Sequence, residues 1–263
     1  MKDYGEVPHN LEMVNLGSTF SKYGFDYRYF GKRGFNFAVA PQPLKIDREV
    51  LEKYQKHINK NGVVVVVIVC PFGFCVHEYS SLRRPPFQRE ISWLKRLVKK
   101  ALRYDRRKQR NLDKSPLSAE ELCRINSRSR VEDWKKEFFL KNTTTQLPTK
   151  ELQKTFVKTR AELTGIIALC KENSFRPLII NMPAMREEYS QFSDAFIKAF
   201  YEDNLERANV DGVPVIDYFG DERFNDISLY ENYADCFNDK GRRFFASVLM
   251  EDMEKLGFWE GEE

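Results

Sequence analysis

The chain lacks any long hydrophobic run. Its longest apolar stretch, Val63 to Cys70, falls far short of the roughly 20 residues that a membrane-spanning helix needs. No basic-then-apolar leader opens the sequence, so a cytoplasmic location is expected. Cysteine is scarce: the five (Cys70, Cys75, Cys123, Cys170 and Cys236) are odd in number and irregularly spaced, which argues against a disulfide framework and for reduced thiols. The sequon at Asn142-Thr143-Thr144 is then expected to stay unglycosylated. There is no Arg/Gly repeat, zinc-finger spacing or aromatic RNP-like strand, and the sequence therefore argues against a nucleic-acid partner. The Cys-x4-Cys-x-His spacing of Cys70, Cys75 and His77 is not that of a zinc site, so neither a metal nor another cofactor is expected. A net charge of +4 is too small, spread over the chain, to imply a polyanionic partner by itself.

What is present is enough apolar and aromatic material for one large core. With 263 residues, 42% apolar and 14% aromatic, positions 1–263 read as a single domain. Short apolar, β-branched runs at Leu11 to Leu16, Gly34 to Ala40, Val63 to Cys70, Pro177 to Met182 and Val213 to Asp217 read as strands. Helical patterns separate them at Asp47 to Ile58, Thr149 to Glu172, Ser193 to Ala208 and Asn238 to Leu256. Strands alternating with helices predict parallel pairing through right-handed crossovers, hence an α/β protein: a three-layer α/β/α sandwich of flavodoxin-like type with five parallel strands.

The alternation breaks at about 72–148, where a helical insertion follows the third strand in place of a single crossover helix. Within it, Arg83 to Arg110 holds twelve Lys/Arg residues against Glu90 and Asp105. An apolar stripe of Ile91, Leu94, Leu97, Val98, Ala101 and Leu102 runs through the segment. A basic helix over 87–110 would suit an anionic membrane surface or an anionic substrate; equally, it would suit a helix packed on the core with a solvated basic face.

The chemistry-bearing stretch is Met13 to Phe20, an apolar strand that stops at Gly17 and hands over to Ser18 and Thr19. A glycine there lets the chain turn tightly and presents a hydroxyl at the strand's carboxyl end, where open α/β sheets bind ligands. The plainer reading makes Ser18 the N-cap of a helix beginning near Ser21.

Asn15-Leu16-Gly17-Ser18-Thr19, Asn36-Phe37-Ala38-Val39-Ala40-Pro41-Gln42 and Asp235-Cys236-Phe237-Asn238-Asp239-Lys240-Gly241 together resemble the SGNH/GDSL-type hydrolases. The similarity is to the divergent bacterial branch found with cell-surface polysaccharide genes, and it covers most of the chain outside the insertion. The resemblance places the family's Gly-x-Ser block on Gly17-Ser18-Thr19, with Thr19 at the nucleophile position and Ser18 one place earlier as the other candidate. The family's glycine oxyanion donor falls in Ala40-Pro41-Gln42, where proline has no N–H and the Gln42 amide is the substitute. Cys70-Pro71-Phe72-Gly73 stands where the family has an asparagine. Tyr233-Ala234-Asp235-Cys236 stands in place of Asp-x-x-His, so an ordinary Ser-His-Asp mechanism cannot be written on this sequence.

His77 follows the third strand closely and is the one imidazole placed to act as base, with Glu78 or Asp235 to orient it; otherwise it is a surface-loop histidine. Asp221 and Arg223, after the fifth strand, would contact a sugar hydroxyl or carboxylate at the rim, or simply pair with each other. Trp93 and Trp134 would stack on a glycan ring or fill the insertion's own core. The expected function is an O-acyl esterase or acyltransferase acting on a cell-surface glycan or its precursor. The alternative is a catalytically silent module of the same fold that binds glycan or a biosynthetic partner.

Overall fold

The computed structural model of the chain describes residues 4, 6–77, 117–231 and 236–259. The segment 87–110, Trp93, Glu78 and Asp235 lie outside the described residues.

Five strands, β1 (Leu11–Leu16), β2 (Gly34–Asn36), β3 (Ile58–Val67), β4 (Arg176–Asn181) and β5 (Val215–Asp217), pair in parallel in the order β2-β1-β3-β4-β5. This is the flavodoxin-like order, and the doubly wound reading is correct. β3 shows why its sequence is a nearly unbroken run of valine. Val64 and Val66 pack into the core on one face of the sheet, whereas Val63, Val65 and Val67 pack into the core on the other. A central parallel strand has no solvated face, so the usual polar alternation disappears.

The first core is closed by α2 (Leu44–Tyr54) and α4 (Lys150–Glu172), which bring Val50, Leu51, Leu163, Ile166 and Ile167 to it. The second is closed by α1 (Thr19–Gly24) and α8 (Asp239–Lys255), through Phe20, Phe245, Leu249 and Met253. Capping residues set the starts of these helices. Thr149 Oγ1 accepts the Leu152 N–H at 3.2 Å, and Asn238 Oδ1 accepts the Gly241 N–H at 2.9 Å, each satisfying a donor that a helix start leaves unpaired.

The described part of the insertion forms one helix, α3 (Ala119–Glu137). Ser118 and Glu121 close a capping box at its start. α3 lies across the sheet's carboxyl edge: Cys123 enters one core, Val131 the other, and Trp134 packs against both. Two short helices, α5 (Arg186–Tyr189) and α6 (Asp194–Ile197), follow β4; α6 continues through a π-helical turn (Lys198–Glu202) into α7 (Asp203–Ala208). Among the described residues no helix is long and apolar enough to cross a membrane.

Several strand boundaries differ from the sequence reading, most at the end of β2 and the start of β3. β2 ends at Asn36, whose Oδ1 accepts the Ala38 N–H at 2.9 Å and turns the chain, although Phe37 and Val39 still donate to the Asn15 and Gly17 carbonyls. β3 begins at Ile58 because Ile58 pairs with Leu11 across an irregularity that leaves Lys60 and Asn61 exposed. The sequence pattern assigns Ile58 to the end of the preceding helix, and the pairing with β1 makes it the start of a bulged strand.

Candidate functional site

The carboxyl ends of β1 and β3 flank the point where strand order reverses, and there the structure opens a cleft of about 270 Å³. The turn after β1 forms one wall. Gly17 has φ +120, and a Cβ at this position would sit 3.0 Å from both the Ser21 and Val67 Cβ atoms. Only glycine takes that backbone shape and that close approach. Ser18 then occupies the N-cap position of α1, but its side chain makes no capping bond. Its Oγ instead accepts the Gln42 backbone N–H at 3.1 Å. The residue just past Pro41 thus supplies the donor that the proline cannot.

Behind this contact lies a buried carboxylate that the sequence reading treated only as the start of a helix. Asp47, on the first turn of α2, is 1% exposed. Its Oδ1 accepts the Gly17 N–H at 2.8 Å and the Gln42 Nε2 at 2.5 Å. Gln42 Nε2 also donates to the Phe37 carbonyl at 3.3 Å. Burial pushes the Asp47 carboxyl up to about 7, against the lowering effect of the hydrogen bonds from Gln42 and Gly17. Gln42 therefore has its amide committed to Asp47 and its backbone N–H to Ser18, which makes it a brace between the β1 turn and the β2 loop.

The remaining walls come from the loop after β3 and from α3. Phe72, Gly73 and Val76 face Arg130, Trp134, Glu137 and Phe138 across the opening. Trp134 packs against Phe72 with ring centroids 4.9 Å apart and planes tilted by 51°, and it also lines the cleft. Arg130 lies over the Phe20 ring at 5.4 Å and the Trp134 ring at 5.7 Å, and its Nε faces the buried Glu188 Oε2 at 3.5 Å. Glu137 is exposed, and partial desolvation together with nearby Asp133 raises its carboxyl above the ordinary glutamate range.

Of the residues singled out in the sequence, Ser18, Thr19 and Gln42 come together in this cleft, with Gly17 shaping the turn behind them. Trp134 joins them, whereas the other described candidates do not line the cleft. His77 is not a lining residue; its Nδ1 lies 4.0 Å from Glu162 Oε1 on α4. His9 and His57 stack on each other at 4.2 Å, with His57 Nδ1 at 3.1 Å from the Val7 carbonyl. All three histidines of the chain are therefore described, and none lines the cleft.

Cys236 is partly exposed, and its carbonyl accepts the Glu231 N–H at 2.8 Å; it too lies outside the cleft lining. Asp221 caps the turn at Glu222–Phe224 and pairs with Arg223 at 2.7 Å, and Arg223 reaches Asp252 on α8 at 3.0 Å. These two residues tie the loop after β5 to α8 and do not line the cleft. Burial holds the Cys70 and Cys75 thiols well above their usual range, which keeps them protonated. Among the described residues no cluster of three or more His, Cys, Asp or Glu could hold a metal ion.

Arg130, Asp47 and Glu137 escaped the sequence reading. Asp47 carried no signal beyond acid in a helix's first turn, and Arg130 lay on a helix whose packing face its weak periodicity did not reveal. No protein-family model matches the chain, and no curated protein matches it.

Proposed function

We propose that the protein is SGNH-like in ancestry and holds a glycan, or an acylated glycan precursor, in the cleft at the carboxyl ends of β1 and β3 without imidazole-assisted ester cleavage. One observation carries this reading: Ser18 and Thr19 lie in the cleft, whereas all three histidines of the chain lie outside it. A hydroxyl with no imidazole in its cleft is a hydrogen-bonding group before it is a nucleophile. The walls suit a sugar, since the aromatic side chains of Phe20, Phe72, Trp134 and Phe138 line the cleft together with the two hydroxyls. The volume is slightly below the roughly 300–1,000 Å³ of sites for drug-sized ligands, which fits one sugar residue or acyl group.

A second reading, O-acyl esterase or acyltransferase through Ser18 or Thr19, draws support from Glu137. Its carboxyl lines the same cleft and is raised above its ordinary range by partial desolvation and Asp133. Labelling with a fluorophosphonate probe separates the two. The binding reading expects no adduct under conditions that label a control esterase. A single adduct on Ser18 or Thr19 that survives His77→Ala and disappears with Glu137→Gln would overturn it in favour of the second reading.

A further inference from the structure

α3 ends on a residue that its terminal turn does not favour. The Leu140 N–H donates to the Lys135 carbonyl at 2.8 Å and the Phe139 N–H to the Lys136 carbonyl at 3.4 Å, the paired bonds of a Schellman turn. Phe139 holds the left-handed position of that turn, with φ +55. Glycine adopts this shape without strain, whereas a bulky side chain there is an outlier. The ring gains no burial in exchange: Phe139 is 85% exposed, the highest value among the large hydrophobic residues described. A residue strained at its backbone and bare at its ring does not stabilise the isolated fold, and such outliers collect where a surface has work to do.

Leu147, 74% exposed, stands at the other end of the same loop. Gln146 Oε1 accepts the Lys141 N–H at 2.5 Å and so ties the two ends together. Asn142 Oδ1 accepts the N–H groups of Thr144, Thr145 and Gln146, and Thr143 Oγ1 donates to the Gln191 carbonyl at 2.7 Å. The loop is thus a fixed platform that leaves two large apolar side chains in solvent. Charge around it is mostly of one sign: Lys136, Lys141, Lys150, Lys154 and Lys158 are exposed, against Glu137 and Glu151. Lys150, Lys154 and Lys158 recur every four residues on the outer face of α4, with exposed Val157 on the same face.

We infer that this loop and the first turns of α4 form a docking surface for an anionic lipid bilayer, with Phe139 and Leu147 entering the headgroup layer and the lysines lying over lipid phosphates. Apolar side chains among lysines suit a fluid interface, into which rings and leucines partition while ammonium heads stay in water. A protein partner is the poorer fit, since protein interfaces are depleted of lysine. Glu137 and Phe138, which line the cleft, immediately precede Phe139, so docking brings the cleft's rim to the membrane surface. The inference does not depend on what the cleft binds.

The test is cosedimentation of the full chain with vesicles of phosphatidylcholine mixed with phosphatidylglycerol, and with vesicles of phosphatidylcholine alone. The parent binds the mixed vesicles, less so as salt is raised, and leaves the neutral ones in the supernatant. Phe139→Gly lowers the partition coefficient by about tenfold, the loss expected when one phenylalanine side chain no longer enters an apolar boundary. Glycine relieves the left-handed strain, so this variant melts no lower than the parent and its lost binding is not lost fold. Leu147→Ser acts in the same direction, and Lys150→Glu, Lys154→Glu and Lys158→Glu together abolish binding.

A parent that binds neither vesicle overturns the surface, as does equal binding to both. Binding to the mixed vesicles that Phe139→Gly combined with Leu147→Ser leaves unchanged places the contact elsewhere on the chain and overturns it too. Sedimentation velocity without lipid adds one more outcome: a parent that dimerises with rising concentration, beside a monomeric Phe139→Gly, assigns the face to a second copy of the chain and overturns the lipid assignment.

Discussion

Replacing Asp47 by asparagine should invert the chain's stability ranking with pH. The Asp47 carboxyl is fully buried, and its pKa rises from 3.8 to about 7 on folding. Between those values the unfolded chain ionises this group while the folded chain keeps it protonated. The stability it contributes is therefore complete below about pH 3.8 and is lost as pH rises through about 7. A shift of roughly three units corresponds to an upper bound of about 4 kcal/mol. Asparagine cannot titrate, but its Oδ1 can still accept from the Gly17 N–H and the Gln42 Nε2. Its added amide donors have no counterpart in the ionised site and cost about 1–3 kcal/mol if left unpaired. The variant is thus less stable than the parent near pH 4 and more stable at pH 8, with the curves crossing between. Urea denaturation at half-unit pH steps, followed by tryptophan fluorescence, reads the difference directly. Parallel curves for parent and variant from pH 4 to 8 would refute the reasoning, because they would mean that Asp47 ionises alike in both states.

The other predictions concern the parts that build the cleft. Gly17→Ala places a Cβ 3.0 Å from Ser21 and Val67 at φ +120 and should cost about 1–3 kcal/mol, measured by urea denaturation. Leu163→Ala removes a fully buried side chain from the α4 face of the core and should cost about 2–5 kcal/mol by the same assay. Arg223→Ala breaks partly exposed pairs with Asp221 and Asp252 and should cost no more than about 1 kcal/mol, with no shift of the Thr19 amide in the NMR spectrum. Thr149→Ala removes the α4 cap and should lower stability by about 1 kcal/mol in thermal melts.

Much of the fold was readable in advance, and particular elements show why. The valines of β3 and the stripe Leu163, Ile166, Ile167 and Cys170 on α4 carry their periodicity in consecutive residues, and that periodicity follows from which faces are buried. The boundaries of β2 and β3 were less readable, since an Asn36 side-chain turn and a bulge beside Leu11 depend on neighbouring strands. The candidate site divides in the same way. Gly17, Ser18 and Thr19 announce themselves as a glycine and two hydroxyls at a strand end. Asp47 and Arg130 resemble any acid or base on a helix until their surroundings are known.

The amino-acid sequence by itself determined the alternation of strands and helices, the burial of both sheet faces and the hydroxyl pair at the carboxyl end of β1, because each is written in residues close together along the chain. Only the tertiary structure decided what surrounds that pair. It returned Asp47 to the Gly17 turn from 30 residues away, laid α3 across the sheet edge with Arg130 and Glu137 over the cleft, and turned His77 toward Glu162. The physical reason is that hydrophobic periodicity specifies which face of an element is buried but not which polar groups of distant elements meet there. Those meetings are set by how complete elements pack, and by the desolvation and hydrogen bonds that follow from the packing.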